Sequence, residues 1–304
     1  MASFDLNYIN HMTREAPQTL IAEGDIRYEA AIRSAAELVA QRMADSPVVM
    51  LSGPSGSGKT TTAGKLMATL TAMGIRSHTI SMDDYYRSRM EPDYPRTPEG
   101  EPDLESPFCL DIPLLNRHIE MLERGEEILV PHFIFSRQMR DTSNYTPLQV
   151  GKDEVVIFEG IHALNALFAH PKATGVYISA RTDLCRDGEV AMPHTWTRFL
   201  RRTVRDFNYR GADALFTMQQ WPNIRRGEKL YISPYKERAQ IMFDTSLIYE
   251  VPVLRSFAEP LLATLPENAP ELGSIRTMIE RLSLVEPMDP ALVPEQSLLR
   301  EFIN

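Results

Sequence analysis

Apolar residues recur along this chain in two different rhythms. Pro47-Val48-Val49-Met50-Leu51 is an unbroken run and predicts a strand buried on both faces, as in a parallel sheet. Val155-Val156-Ile157-Phe158 is a second such run, and Ser77–Met82 and Gly175–Ser179 are shorter strands. Elsewhere the spacing changes to three and four. Ile32, Ala35, Leu38, Val39 and Met43 mark an amphipathic helix over Tyr28–Met43. Thr61–Met73 favours a helix that stops at Gly74, and Leu114–Arg124 one that stops at Gly125. His194–Phe207 is helical with two unlike faces. Trp196, Phe199, Leu200, Thr203, Val204 and Phe207 form an apolar stripe, while Arg198, Arg201, Arg202 and Arg205 fall at i, i+3, i+4 and i+7. Leu247–Val253 reads as the last core strand. Strands alternating with helices predict an α/β fold, a parallel sheet flanked by helices.

The pattern breaks in four places. Residues 1–24 are mixed and read as irregular or peripheral. Six prolines (Pro92, Pro95, Pro98, Pro102, Pro107 and Pro113) forbid a regular element over 87–113, and so long a loop beside a strand end suggests a substrate-side role. Glu127–Phe135 is extended, and a turn at Asp141-Thr142-Ser143-Asn144 makes residues 127–147 a β-hairpin arm. Residues 267–304 are helical in pieces, broken by Pro287, Pro290 and Pro294. The expected organisation is an N-terminal helical extension (1–45), a P-loop domain (46–255) and a C-terminal helical extension of that domain (256–304).

Composition narrows the class. The chain has 304 residues, 43% hydrophobic and 24% charged, which is globular. No apolar stretch approaches the roughly 20 residues of a membrane span, and the N-terminus lacks a signal-peptide pattern. Two cysteines, Cys109 and Cys185, make neither a disulfide framework nor a metal cluster, so a cytoplasmic location is expected. A net charge of −9 argues against nucleic acid as a partner, and nothing suggests a membrane.

Residues 53–60, Gly-Pro-Ser-Gly-Ser-Gly-Lys-Thr, complete the phosphate-binding pattern G-x-x-x-x-G-K-[ST] between a strand and a helix. Gly53, Gly56 and Gly58 let the backbone aim its N–H groups at phosphate oxygens, with Ser55 and Ser57 between them. The following helix adds its positive end at Thr61. Lys59 is a mobile point charge for the β- and γ-phosphates, and Thr60 is placed to bind Mg²⁺. Nucleoside triphosphate binding follows.

Transfer to a small alcohol, rather than hydrolysis alone, is favoured by two features. Asp83 ends the second strand, where a carboxylate can accept the proton of an attacking hydroxyl. The arginine face supplies positive charge for a transferring phosphoryl group, as a lid helix that acts when the site closes. The Asn-Lys-x-Asp tetrapeptide of GTPases and the Leu-Ser-Gly-Gly-Gln signature of transporter ATPases are both absent.

From about Val48 to Val253 the chain resembles the uridine kinase family of P-loop small-molecule kinases, which includes uridine–cytidine kinases and, more distantly, phosphoribulokinase. The carrying motifs are Ser81-Met82-Asp83-Asp84-Tyr85-Tyr86, Glu159-Gly160 at a strand end, and Arg198-Phe199-Leu200-Arg201-Arg202-Thr203-Val204-Arg205-Asp206. The resemblance implies ATP as donor with Mg²⁺ at Thr60 and Glu159. It implies Asp83 as catalytic carboxylate beside Lys59 and Arg202, nucleotide contacts from Arg198, Arg201 and Arg205, and Tyr86 near the acceptor. Trp221-Pro222 through Arg225-Arg226-Gly227-Glu228 to Pro234-Tyr235 is similar to a bacterial nucleoside kinase branch, without the threonyl-tRNA-synthetase-like N-terminal domains some members carry. Self-association is common among such kinases.

Departures cluster on the acceptor side. The family's ribose-holding aspartate is replaced by Phe108, with Asp103 and Glu105 as the nearby carboxylates. Its base-reading tyrosine and histidine fall at Phe133 and Gln138, while Arg140 is retained. About fourteen residues near Arg181–Thr195 are inserted. Three readings therefore stand: a kinase for a nucleoside 5′-OH, a kinase for a sugar or other polyol, and a regulatory P-loop ATPase without a small acceptor.

Overall fold

The computed structural model describes residues 3–168, 170–269 and 272–303. In chain order its main elements are β1 (Ser3–Asp5), α1 (Leu6–Glu15), α2 (Pro17–Arg42), β2 (Val48–Ser52), α3 (Lys59–Ala72), β3 (Arg76–Ser81), α4 (Ile112–Glu123), β4 (Ile128–Ile134), β5 (Met139–Leu148), β6 (Glu154–Glu159), β7 (Thr174–Ser179), β8 (Asp183–Arg186), β9 (Glu189–Met192), α5 (His194–Arg210), α6 (Ala214–Gly227), β10 (Ile241–Asp244), α7 (Glu250–Leu262), α8 (Leu272–Leu282) and α9 (Arg300–Ile303).

The central sheet has five parallel strands in the order β10-β7-β2-β6-β3. All five residues of β2 are buried, because α2 and α3 cover one face and α4 covers the other; this is why its sequence is unbroken in apolar residues. Register decides where the chemistry gathers. Leu51 and Ser81 both pair with Glu159, so β2, β3 and β6 end together. The phosphate loop, Asp83 and Glu159 therefore leave the sheet at one carboxyl edge, the usual ligand edge of such sheets. β4 and β5 form the expected antiparallel hairpin, but its turn lies at residues 135–138; Asp141-Thr142-Ser143-Asn144, expected as the turn, is inside β5, with His132 paired to Asp141. No helix among the described residues is long and apolar enough to cross a membrane.

Several expectations are corrected. Residues 3–24 are regular: Asp5 caps α1 by accepting the N–H groups of Asn7 and Tyr8, and Pro17 sits in the first turn of α2. β1 pairs in parallel with β8, and β8 with β9, so the inserted residues and the N-terminal segment share one small sheet. Residues 247–253 are not a strand. β10 takes the sheet edge beside β7, and the apolar run enters α7 instead, a distinction that so short a run does not encode. α5 is not a free lid. It packs against α6, α7 and α9 through buried Phe199, Leu200 and Val204.

α7 starts where it does because Glu250 is spoken for. Its carboxylate accepts the Leu247 N–H at 2.8 Å and pairs with Arg201 at 2.5 Å, both side chains being almost fully buried. Removing one partner strands the other charge away from water. Glu250→Ala is expected to lower unfolding free energy by about 3–5 kcal/mol, measured by urea denaturation; a loss below about 1 kcal/mol would contradict this account of the pair.

Candidate active site

The phosphate loop is shaped by its glycines and held from behind. Gly56 and Gly58 have φ of +75° and +84°, and a Cβ on Gly53 would lie 2.3 Å from the Ile178 carbonyl oxygen. The loop carbonyls of Ser55, Gly56 and Ser57 face the protein, while the Ser57 N–H bonds back to the Pro54 carbonyl at 3.2 Å. The Ser55 carbonyl accepts Nε and Nη2 of Arg198, both at 3.1 Å. Gly56 O accepts Arg201 Nη1 at 3.2 Å, and Ser57 O accepts the Thr245 hydroxyl at 2.8 Å. Glu228 holds Arg198 through two hydrogen bonds of 3.0 and 2.9 Å, and Glu250 holds Arg201.

The four arginines therefore do not line one open face. Arg198 and Arg201 have their donors taken and brace the loop. Arg202 and Arg205 stand nearer the front, where Asp206 serves both: Arg202 Nε lies 3.0 Å from one oxygen and Arg205 Nη2 2.7 Å from the other. Arg202 also donates to the Ser55 hydroxyl at 2.7 Å. Burial pushes its pKa down to about 10, against the pull of Asp206, so it stays charged at neutral pH.

Lys59, Asp83, Glu159 and Glu105 act on one another across the carboxyl edge. Burial lowers the Lys59 pKa, and the charges of Glu159 and Asp83 oppose this. Burial raises Asp83, with Lys59 and Arg210 opposing. Glu159, which accepts the Ser81 hydroxyl at 3.0 Å, is pushed up to about 7 by burial, and so is Glu105. Thr60 is exposed at the start of α3. No group of three or more His, Cys, Asp or Glu side chains forms a metal cage among the described residues. Mg²⁺ held by one or two protein oxygens together with substrate phosphates needs no such cage, so the Thr60 hydroxyl and the Glu159 carboxylate fit that donor set.

The acceptor-side residues divide. Tyr86 meets Phe133 edge to face at 5.6 Å, and Phe133 meets Phe135 at 5.2 Å, giving an aromatic wall three residues beyond Asp83. The Phe133 N–H donates to Asp84 at 3.2 Å, tying the hairpin to the carboxyl edge of the sheet. Phe108 is 53% exposed and lines an outer cleft with Arg87, Asp111 and Arg140. Arg140 is committed to Asp111 at 2.8 Å and to the Tyr85 carbonyl at 3.1 Å. Gln138 occupies the hairpin turn with φ +54° and accepts from Arg89 at 2.5 Å.

Sequence reasoning passed over three groups here. Asp206 is the counter-ion of the front arginines, and it stood in the quoted arginine motif. Arg210, one turn beyond that motif, pairs with Asp206 at 3.6 Å, and its charge acts on Asp83. His162 is 2% exposed beside the backbone of Tyr231 and Glu105, and burial pushes its pKa down to about 3, so it is neutral. Its place three residues after Glu159 carried no separate signal.

Residues 48–250 match the family model described as "Phosphoribulokinase / Uridine kinase family". A uridine kinase of Staphylococcus haemolyticus is 29% identical over 202 residues, covering 66% of this chain and 88% of that protein. One of Deinococcus deserti is 28% identical over 197 residues, covering 64% and 86%. Among solved structures, a putative fructose transport system kinase from Silicibacter sp. TM1040 matches with a TM-score of 0.51 at 18% identity, covering 70% of this chain and 98% of that one, a likeness of fold.

The raised carboxyl of Glu105 has a measurable consequence. Its folded pKa of about 7 exceeds the ordinary 4.5, so between these values the folded protein binds more protons than the unfolded chain. Its contribution to stability is complete below about pH 4.5 and is lost as pH rises through 7. In Glu105→Gln the fall in Tm between pH 5 and pH 8 should be shallower than in the parent, as followed by thermal unfolding without nucleotide. Equal slopes would contradict the burial of this carboxyl.

Proposed function

Because the chain belongs to the phosphoribulokinase/uridine kinase family and is a P-loop kinase, we propose that it transfers the γ-phosphoryl group of ATP to the primary 5′-hydroxyl of a nucleoside. The observation that carries the acceptor class is the aromatic wall of Tyr86, Phe133 and Phe135 beside Asp83. A flat base gains by stacking on such rings over its whole π-face. The uridine kinases among its relatives support the same reading.

Each side chain then has a task. The loop amides and Lys59 hold the β- and γ-phosphates. Thr60 and Glu159 would hold Mg²⁺, which when bound neutralises charge on the phosphate oxygens. Asp83 accepts the hydroxyl proton, a role suited by a pKa that burial raises above the ordinary aspartate value. Arg202 and Arg205 stabilise the charge of the phosphoryl group in transit. Glu105 accepts a hydrogen bond from a second acceptor hydroxyl, the work Phe108 lacks the atoms to do. Free Cys109 and Cys185 suit a reducing cytoplasm.

One observation favours a second reading. With Phe108 turned into the outer cleft and Glu105 as the nearby carboxylate, the hydroxyl-reading side differs from a ribose clamp, as a sugar or polyol kinase would. An acceptor screen that follows ADP release separates the two. Nucleoside-dependent release is expected; release with sugars alone would overturn the nucleoside assignment, and release independent of any alcohol would indicate a regulatory ATPase. Asp83→Asn should bind ATP within about threefold of the parent and lose roughly 10²–10⁴ in turnover. Undiminished turnover would remove Asp83 from the mechanism.

A further inference from the structure

The first turn of α3 is already engaged by an acid from far along the chain. Glu301 in α9 accepts a hydrogen bond from the backbone N–H of Thr61, at 3.0 Å. Leu298 rests on Gly58 so closely that a Cβ there would meet its Cδ1 at 2.4 Å. The Phe302 ring lies under the Arg201 guanidinium at 5.1 Å, and its carbonyl accepts from Asn208 at 3.1 Å. Leu298, Leu299, Phe302 and Ile303 are buried, so segment 297–303 is anchored in the core and carries Glu301 onto the loop.

A phosphate-binding loop offers its first-turn N–H groups to phosphate oxygens. Carboxylate and phosphate share their sign of charge and their acceptor-only oxygens. The Glu301 charge also acts on Lys59, the cation of the same loop. The Ser57 hydroxyl, fully buried in that loop, has no partner, so the loop's donors are only partly met in this arrangement.

We propose that Glu301 is a gating residue of the donor site, an internal substitute for a nucleotide phosphate that must release Thr61 before that phosphate can take the N–H. The proposal rests on residues 53–60 being the nucleotide site. Release needs only rotation of the Glu301 side chain, since the apolar neighbours that anchor the segment stay in place. The gate keeps the Thr61 amide paired while nucleotide is absent and weakens binding by competition.

Calorimetric titration of Mg-ATP tests this on the parent, Glu301→Gln, Glu301→Ala and Lys59→Ala. Glu301→Ala is expected to bind roughly tenfold tighter than the parent, the scale of one lost charged hydrogen bond, with Glu301→Gln between them. Faster hydrogen exchange at the Thr61 amide is expected in nucleotide-free Glu301→Ala. Unchanged or weaker binding in both Glu301 variants, with Lys59→Ala still impaired, overturns the gate and leaves the donor site standing. Failure of parent and variants alike to bind overturns both.

Discussion

The phosphate loop turns carbonyl oxygens towards protein rather than water. Buried carbonyls need donors. Three successive ones, on Ser55, Gly56 and Ser57, receive theirs from Arg198, Arg201 and Thr245. Burying two guanidinium groups is costly unless each has a counter-ion, and Glu228 and Glu250 supply these. The anion-binding concavity thus depends on a rear wall built by α5, the turn that follows α6, and the segment from Thr245 into α7. The start of α7 and the packing of α5 follow from the same requirement.

That requirement also separates four arginines that helical spacing placed together. Positions 198 and 201 look to the back of the loop, and 202 and 205 to its front. Periodicity alone describes a face of an isolated helix. Which part of that face meets a loop carbonyl, and which a cavity, is decided by how the helix sits in the core, a tertiary fact.

The donor half was legible because its constraints are local. Glycines at 53, 56 and 58, the lysine after them and an unbroken apolar strand before them are consequences of backbone geometry within a dozen residues. Asp83 and Glu159 were legible because parallel strands deliver their ends to one edge. What escaped depends on distant partners. The run at 247–253 looked like a strand because its defining contact, Glu250 with Arg201, spans 49 residues. β1 looked irregular because β8 lies far along the chain. Glu301 carries no motif at all; only the fold brings it to Thr61. The acceptor side was read as altered, and Phe108, Gln138 and Arg140 are turned to cleft, turn and backbone contacts that pattern reasoning cannot assign.

The contact between Thr61 and Glu301 spans 240 residues. During synthesis the glycine loop and its helix leave the ribosome long before Leu298 and Glu301 do. For that interval the first turn of α3 has neither its apolar cover nor its carboxylate, and the arginines that brace the loop from behind are themselves still to be made. A nascent chain thus passes through a stage in which its phosphate loop is written but unsupported. Cellular phosphates would meet its amides before the chain's own acid arrives.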